Sequence, residues 1–321
     1  MPRKIILDVD TGSDDACAIM LAYLHKDIDL LAVCTVKGNQ PLEYTTENTL
    51  RIRDLLHADF PVYKGCSGSL VRNIIYPRLA PTPNADAYDE EGNKIHIHQE
   101  LFDLPASDGR IEELNAPNFY VGYLTKSKEK VTLVAVGPLT NLAVALVMEP
   151  KIVEKIEEIV IMGGGWNITN ATLAAEFNIY DDPEAAQRVL HCGAKITMVP
   201  LDATHAAYIS RDNARELRQI DTPASRFAAD LIDLRILVHD YAQPLAVPHT
   251  CALHDPLCIA YLIDPNVLKN VRFCNVEVSL SGLTEGQTCV DQRAIQENRN
   301  VHFAFDGDPE LFSKIFIDAF R

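Results

Sequence analysis

Runs of β-branched and aliphatic residues alternate with helical patterns along most of this chain. Residues 4–9, 30–36, 61–64, 131–136, 158–162 and 195–200 predict strands, and helical periodicity at 14–25, 42–56, 139–148 and 183–192 follows several of them. Ile5-Ile6-Leu7 and the run 131–136 are apolar with no polar alternation of the kind a half-exposed strand shows. That is the pattern of parallel strands covered on both faces. The expected fold is therefore α/β: a doubly wound, mostly parallel sheet with a Rossmann-like core. Near the C-terminus, residues 272–280, 288–291 and 300–305 read as extra strands ahead of a last helix from about Pro309. No repeat, low-complexity tract or linker interrupts the pattern, which predicts one domain over residues 1–321. Residues 73–109 stand apart, polar and aperiodic, with Pro77, Pro81, Pro83 and Pro105. Loops of this length are usually functional or disordered.

Composition narrows the partners. The chain is 47% hydrophobic and 23% charged, enough apolar material for a large core, and its formal net charge is −16. Such an acidic protein repels nucleic-acid backbones and anionic membranes, so a small neutral substrate or a cation is expected instead of a nucleic-acid polymer or a membrane. The apolar run near Ile5 is too short for a signal peptide, and no stretch approaches the ~20 residues needed to span a bilayer. A cytoplasmic location is expected. The eight cysteines are scattered without a Cys-x-x-Cys pair and read as buried thiols, not as a disulfide framework or zinc site.

The most informative segment is Asp8-Val9-Asp10-Thr11-Gly12-Ser13-Asp14-Asp15-Ala16, at the end of a buried strand and the start of an apolar helix. Ligands of open α/β sheets bind beyond the carboxyl ends of strands. Four carboxylates crowded on one turn repel each other, and a hard divalent cation such as calcium or magnesium relieves this most simply. Helix capping accounts for one or two of them, not four.

This segment resembles the signature of the inosine–uridine-preferring nucleoside hydrolases. Further pieces match that family in the same order: Gly38-Asn39, Gly137-Pro138-Leu139-Thr140-Asn141, Val160-Ile161-Met162-Gly163-Gly164-Gly165, Ala175-Glu176-Phe177-Asn178, Leu201-Asp202-Ala203-Thr204-His205 and His254-Asp255-Pro256. The resemblance implies calcium-dependent hydrolysis of the N-glycosidic bond of ribonucleosides, through an oxocarbenium-like transition state. It implies that Ca2+ is held by Asp10, Asp15, the backbone carbonyl of Val136 and Asp255, with Asp10 taking a proton from the attacking water. Asp14, Asn39, Glu176 and Asn178 are implied to hold ribose hydroxyls, Asn170 the 5′-hydroxyl, and the backbone of Met162 to lie under the sugar. His254 is implied to protonate the leaving base. His98, within His96-Ile97-His98-Gln99-Glu100, resembles a His-Gly-Glu loop near the base, with Gln99 in place of the glycine. Tyr241 is a further candidate for the base pocket, while Trp166 reads as exposed loop packing. Assembly as a homodimer or homotetramer is also implied.

Two other readings use the same residues. A haloacid-dehalogenase-type phosphohydrolase would take Asp8 as nucleophile and Asp10 as acid. It leaves Asp14-Asp15 and His254-Asp255 without roles, and no Lys or Arg lies between Ile5 and Tyr23 to meet a phosphate. A non-catalytic, calcium-dependent nucleoside or sugar binder would share the oxygen cage but have no use for Asp10 as a base.

Overall fold

The computed structural model describes residues 2–72, 74, 87–88, 92, 94–95, 97–293 and 297–321. Strands β1 (Arg3–Val9), β2 (Ile28–Thr35) and β3 (Val62–Lys64) are linked by helices α1 (Ser13–Leu24) and α2 (Leu42–Leu55). A short pair, β4 (Ala87–Tyr88) and β5 (Lys94–Ile95), precedes α3 (Ala116–Lys126). Next come β6 (Val131–Ala135), α4 (Thr140–Met148), β7 (Ile156–Met162), α5 (Phe177–Asp181), α6 (Pro183–Leu190), β8 (Ile196–Val199) and α7 (Leu201–Ala206). After these lie β9 (Tyr208–Ser210), α8 (Arg211–Ile220), α9 (Pro223–Ala242), β10 (Thr250–Ala252) and α10 (His254–Ile263). The chain closes with β11 (Leu268–Val278), β12 (Thr288–Asp291), β13 (Val301–Gly307) and α11 (Pro309–Asp318).

Nine strands form one sheet in the order β12-β11-β13-β8-β7-β6-β1-β2-β3. From β13 to β3 the neighbours are parallel, and β11 runs antiparallel to both β13 and β12. The doubly wound core and the added C-terminal strands are thus both present. Unbroken apolar runs follow from two-sided cover: Ile5, Leu7 and Val9 pack into one core, and Ile6 into the other. Strand β1 pairs with β2 on one side and β6 on the other. The winding direction reverses there, opening the crevice where α/β sheets bind ligands.

Some elements differ from the sequence pattern. Strand β11 starts earlier than residue 272 because it already pairs at Leu268 with Gly307. Helix α9, the longest, was not among the predicted elements. It begins at a capping box, with Thr222 accepting from Ser225 N and Pro223 in the first turn. Cysteines 17, 34, 251, 258 and 274 are buried as expected, but Cys289 is exposed because it lies on the sheet-edge strand β12. About half of the aperiodic stretch 73–109, including His96, lies outside the described residues. Among those described, no helix is long and apolar enough to cross a membrane.

Candidate active site

The turn from β1 into α1 is built around carboxylates. Asp15 accepts hydrogen bonds from the backbone N–H of Asp10 at 3.0 Å and of Gly12 at 2.8 Å. These bonds tie the strand end to the first turn of the helix. The side chain of Asn39 also donates to Asp15, at 3.2 Å, and its backbone N–H donates to Asp10 Oδ2 at 2.6 Å. Asp8 lies on the Ile6 face of β1, away from Leu7 and Val9, and the chain leaves the strand before Asp10. Asp8 receives Tyr120 Oη at 2.9 Å and Asn141 Nδ2 at 3.0 Å, and burial pushes its carboxyl up to about 7. Asp8 is therefore not a nucleophile facing the crevice.

Asp10 is packed between two loops whose glycines leave room for it. A Cβ on Gly38 would sit 2.0 Å from Asp10 Oδ2, and one on Gly137 would sit 2.8 Å from Oδ1. Gly38→Ala is expected to displace Asp10 and abolish activity, at a stability cost of ~1–3 kcal/mol for overpacking. Thermal denaturation and a turnover assay check this. Normal turnover in the variant would mean that Asp10 need not stay where it is.

Above these carboxylates opens a cavity of about 670 Å³, lined by the residues the sequence singled out for the site except Tyr241 and the buried Asp10 and Asp15. Asp14 and Asp255 form its acidic floor beside Asn39 and Val136. Next to them, Asn178 Nδ2 donates to the carbonyls of Val136 at 2.7 Å and Met162 at 3.1 Å, bridging the ends of β6 and β7. Glu176 caps α5, accepting from Asn178 N at 2.9 Å, Ile179 N at 3.2 Å and Gly164 N at 2.9 Å. Burial outweighs these bonds and raises its carboxyl to about 7. Gly164 takes φ +75°, the left-handed conformation that lets the chain turn toward Glu176. Asn170 Oδ1 accepts from Phe177 N at 2.9 Å.

The remaining wall comes from α9. Arg235, Val238, His239 and Ala242 line the cavity together with Gln243, just beyond the helix end. Tyr241 is not in the lining and is 62% exposed, a correction to its assignment. At 100° per residue, position 241 turns away from the face shared by 235, 238, 239 and 242. Trp166 is 47% exposed and packs edge-on against Phe305 at 5.5 Å, as loop packing implied. Four histidines gather near this wall. His205, His239 and His254 have ring centroids 5.8 to 6.1 Å apart. His98 Nδ1 receives a long bond of 3.4 Å from Ser13 N. Burial lowers His98 and His239 to about 4 and His205 to about 3, and drives His254 well below the imidazole range.

The carboxylates call for a cation. Asp14, Asp15 and Asp255 each bring an oxygen within 4.8 Å of the others. Burial, then the neighbouring carboxylates, pushes Asp10 and Asp255 well above the carboxylate range and Asp15 to about 6. Among the described residues, Arg235 is the side-chain cation in ion-pair contact with this group. Its Nη1 lies 3.0 Å from Asp14 Oδ1, off the hydrogen-bond direction, so that oxygen can still accept another donor. Asp10 Oδ1 is buried and finds no hydrogen-bond partner among the described residues. Unpaired buried charge of this kind is costly, and an all-oxygen set fits a hard divalent metal ion.

Comparison with known proteins identifies the chemistry. A family model described as inosine-uridine preferring nucleoside hydrolase matches residues 5–314. The chain is 37% identical over 328 residues to the inosine-uridine preferring nucleoside hydrolase of Crithidia fasciculata, covering 99% of this chain and 98% of that one. It is 36% identical over 324 residues to the pyrimidine-specific ribonucleoside hydrolase RihA of Shewanella sp. (strain MR-4), covering 99% and 96%. A solved structure, a purine-preferring ribonucleoside hydrolase from Gardnerella vaginalis, is similar with a TM-score of 0.84 at 30% identity, covering 99% and 98%. Matches of this extent define an N-glycosyl hydrolase, which adds water across the bond between base and ribose. Within that class, the chain belongs to the inosine-uridine preferring nucleoside hydrolase family.

Proposed function

We propose that this ribonucleoside hydrolase works with calcium and uses Asp10 as its general base. The observation that carries this is the buried, unpartnered Oδ1 of Asp10 beside the cluster of Asp14, Asp15 and Asp255. Asp10, Asp15, Asp255 and the Val136 carbonyl would hold the ion, which when bound supplies the positive charge that acidifies water and lets the carboxylates coexist. Asp10 Oδ1 accepts the proton of the attacking water, while Asn39 N fixes Oδ2. Asp14, Asn39, Glu176 and Asn178 grip the ribose hydroxyls, and Asn170 takes the 5′-hydroxyl. The Met162 backbone lies under the sugar.

At the base end stand His98 and His254. Thr204 Oγ1 is 2.7 Å from His254 Nδ1. With the hydroxyl donating to His254 and not to the Leu201 carbonyl 3.3 Å away, the neutral ring carries its hydrogen on Nε2, where it can serve the departing base. Val271 and Phe273, two apart on β11 and 42% and 44% exposed, support pairing of copies into a homodimer or homotetramer.

Release of base from inosine and uridine by purified protein, with and without chelator, tests the reading. Turnover that survives thorough chelation contradicts the calcium role, and tight binding without turnover points to a mere receptor. A substrate limit follows as well. Ribonucleosides should exceed their 2′-deoxy analogues in kcat/KM by ~10²-fold or more, because a missing hydroxyl strands buried polar partners. The 5′-phosphates should be poor substrates, since a phosphate adds negative charge to an acidic floor. Comparable kcat/KM for uridine and uridine 5′-phosphate would refute this arrangement.

A further inference from the structure

Helix α9 brings a fixed positive charge into the cavity. Arg235 is the only Lys or Arg among the described residues of the lining, and it is 1% exposed. Three contacts hold it. Nε donates to the Ala252 carbonyl at 2.9 Å, and Nη1 donates to Ser13 Oγ at 2.9 Å and lies 3.0 Å from Asp14 Oδ1. A guanidinium offers five N–H donors in a rigid fork. Nη2 takes part in none of these contacts. One turn further along α9, His239 also lines the cavity, with Nδ1 3.0 Å from the Gln243 carbonyl. A carbonyl only accepts, so the hydrogen sits on Nδ1 and the buried Nε2 presents a lone pair. Val238 and Ala242 make the rest of this wall apolar. The α9 wall thus carries one cation among Val238, His239, Ala242 and Gln243, and it supplies none of the groups assigned to the ribose.

Building on the nucleoside hydrolase reading above, we propose that Arg235 binds the leaving group, its guanidinium taking up the negative charge that the base acquires. As the C1′–N bond breaks, the bonding pair passes to the base nitrogen and spreads toward ring carbonyl oxygens. Water oxygen bonds to C1′, its proton goes to Asp10, and the base then takes one proton through His254 or from solvent. Asp10 returns its proton to solvent, so atoms and charge balance. A preorganised cation in a dry site stabilises such developing charge without rearrangement. His98 and His239, held neutral by burial, leave that charge to Arg235.

A fixed cation helps a base that departs as an anion and hinders one that is already cationic in the substrate. Uridine is of the first kind and nicotinamide riboside of the second. The wild-type enzyme should prefer uridine in kcat/KM by ~10-fold or more, although the cationic base has the intrinsically weaker bond. Arg235→Gln should cut uridine turnover by ~10²-fold, the scale of losing one oxyanion donor. It should leave nicotinamide riboside unchanged or faster. Inhibition by free ribose should persist, showing that Asp14 stays in place. Arg235→Lys keeps the charge and should keep the wild-type order of the two substrates. Equal losses on both substrates, or loss of ribose inhibition, would show that Arg235 only braces Asp14 and would overturn the proposal. So would a wild-type preference for nicotinamide riboside, or an inverted order in the Lys variant, neither of which depends on the Gln variant folding. A wild-type protein that cleaves no nucleoside would instead refute the underlying reading.

Discussion

Asp10→Asn is expected to lower kcat by roughly 10³–10⁴-fold while KM for inosine or uridine changes only a few-fold. The upper end of the range for losing a general base sets this scale. The substitution keeps the shape of the side chain, and an amide oxygen can still accept the Asn39 N–H that now meets Oδ2 at 2.6 Å. The other position becomes an NH₂ group, which donates hydrogen bonds and cannot take a proton from water. Binding survives because Asn39, Asn170, Glu176 and Asn178 belong to other segments of the chain and Asp14 keeps its own carboxylate. Steady-state kinetics with metal content measured in parallel decide the matter. A loss confined to KM, with metal retained, would place Asp10 in substrate binding instead of proton transfer.

Stripping the metal is expected to abolish turnover and to lower Tm by roughly 5–10 °C, with both restored by added Ca2+. An ion that binds only the folded state at ~1,000 times its Kd stabilises it by about 4 kcal/mol. For a chain of this size each kcal/mol moves Tm by roughly 2 °C. The physical source is the crowding of Asp10, Asp14, Asp15 and Asp255, of which only Asp14 meets a side-chain cation among the described residues. Calorimetry on chelated and reloaded protein gives the shift. An unchanged Tm, with ion loss verified by elemental analysis, would mean that the carboxylates coexist by sharing protons.

The acidic half of the site was legible in the sequence because its residues are contiguous. Asp10, Asp14 and Asp15 sit on one strand-to-helix turn, and the end of a parallel strand is where such sheets bind ligands. Asp8 was equally conspicuous, but it lies within β1 on the Ile6 face, against Tyr120 and Asn141, whereas Asp10 lies beyond the strand's end. The α9 wall was not legible. Arg235 bonds to Ser13 across 222 positions of sequence, a distance over which no local pattern carries information. The one available signal was an Arg and a His four residues apart, separated by Ile236, Leu237 and Val238 and so on one helical face. Tyr241 drew attention by chemistry alone, and its angular position on the helix excludes it. His98 reaches the site through a loop that departs from the family pattern at Gln99, and His96 lies outside the described residues.

The glycines at 38 and 137 carry a consequence for how such an enzyme diversifies. Each leaves less than a methyl group of space beside Asp10, so the ground around the sugar admits almost no neighbouring sequences. Val238 and Ala242 line the open cavity instead of pressing on a carboxylate, so single substitutions there can change its size or polarity. Mutational drift should therefore accumulate on the helix and spare the two loops. Laboratory selection for a new base should return variants along α9, with the ribose half inherited unchanged.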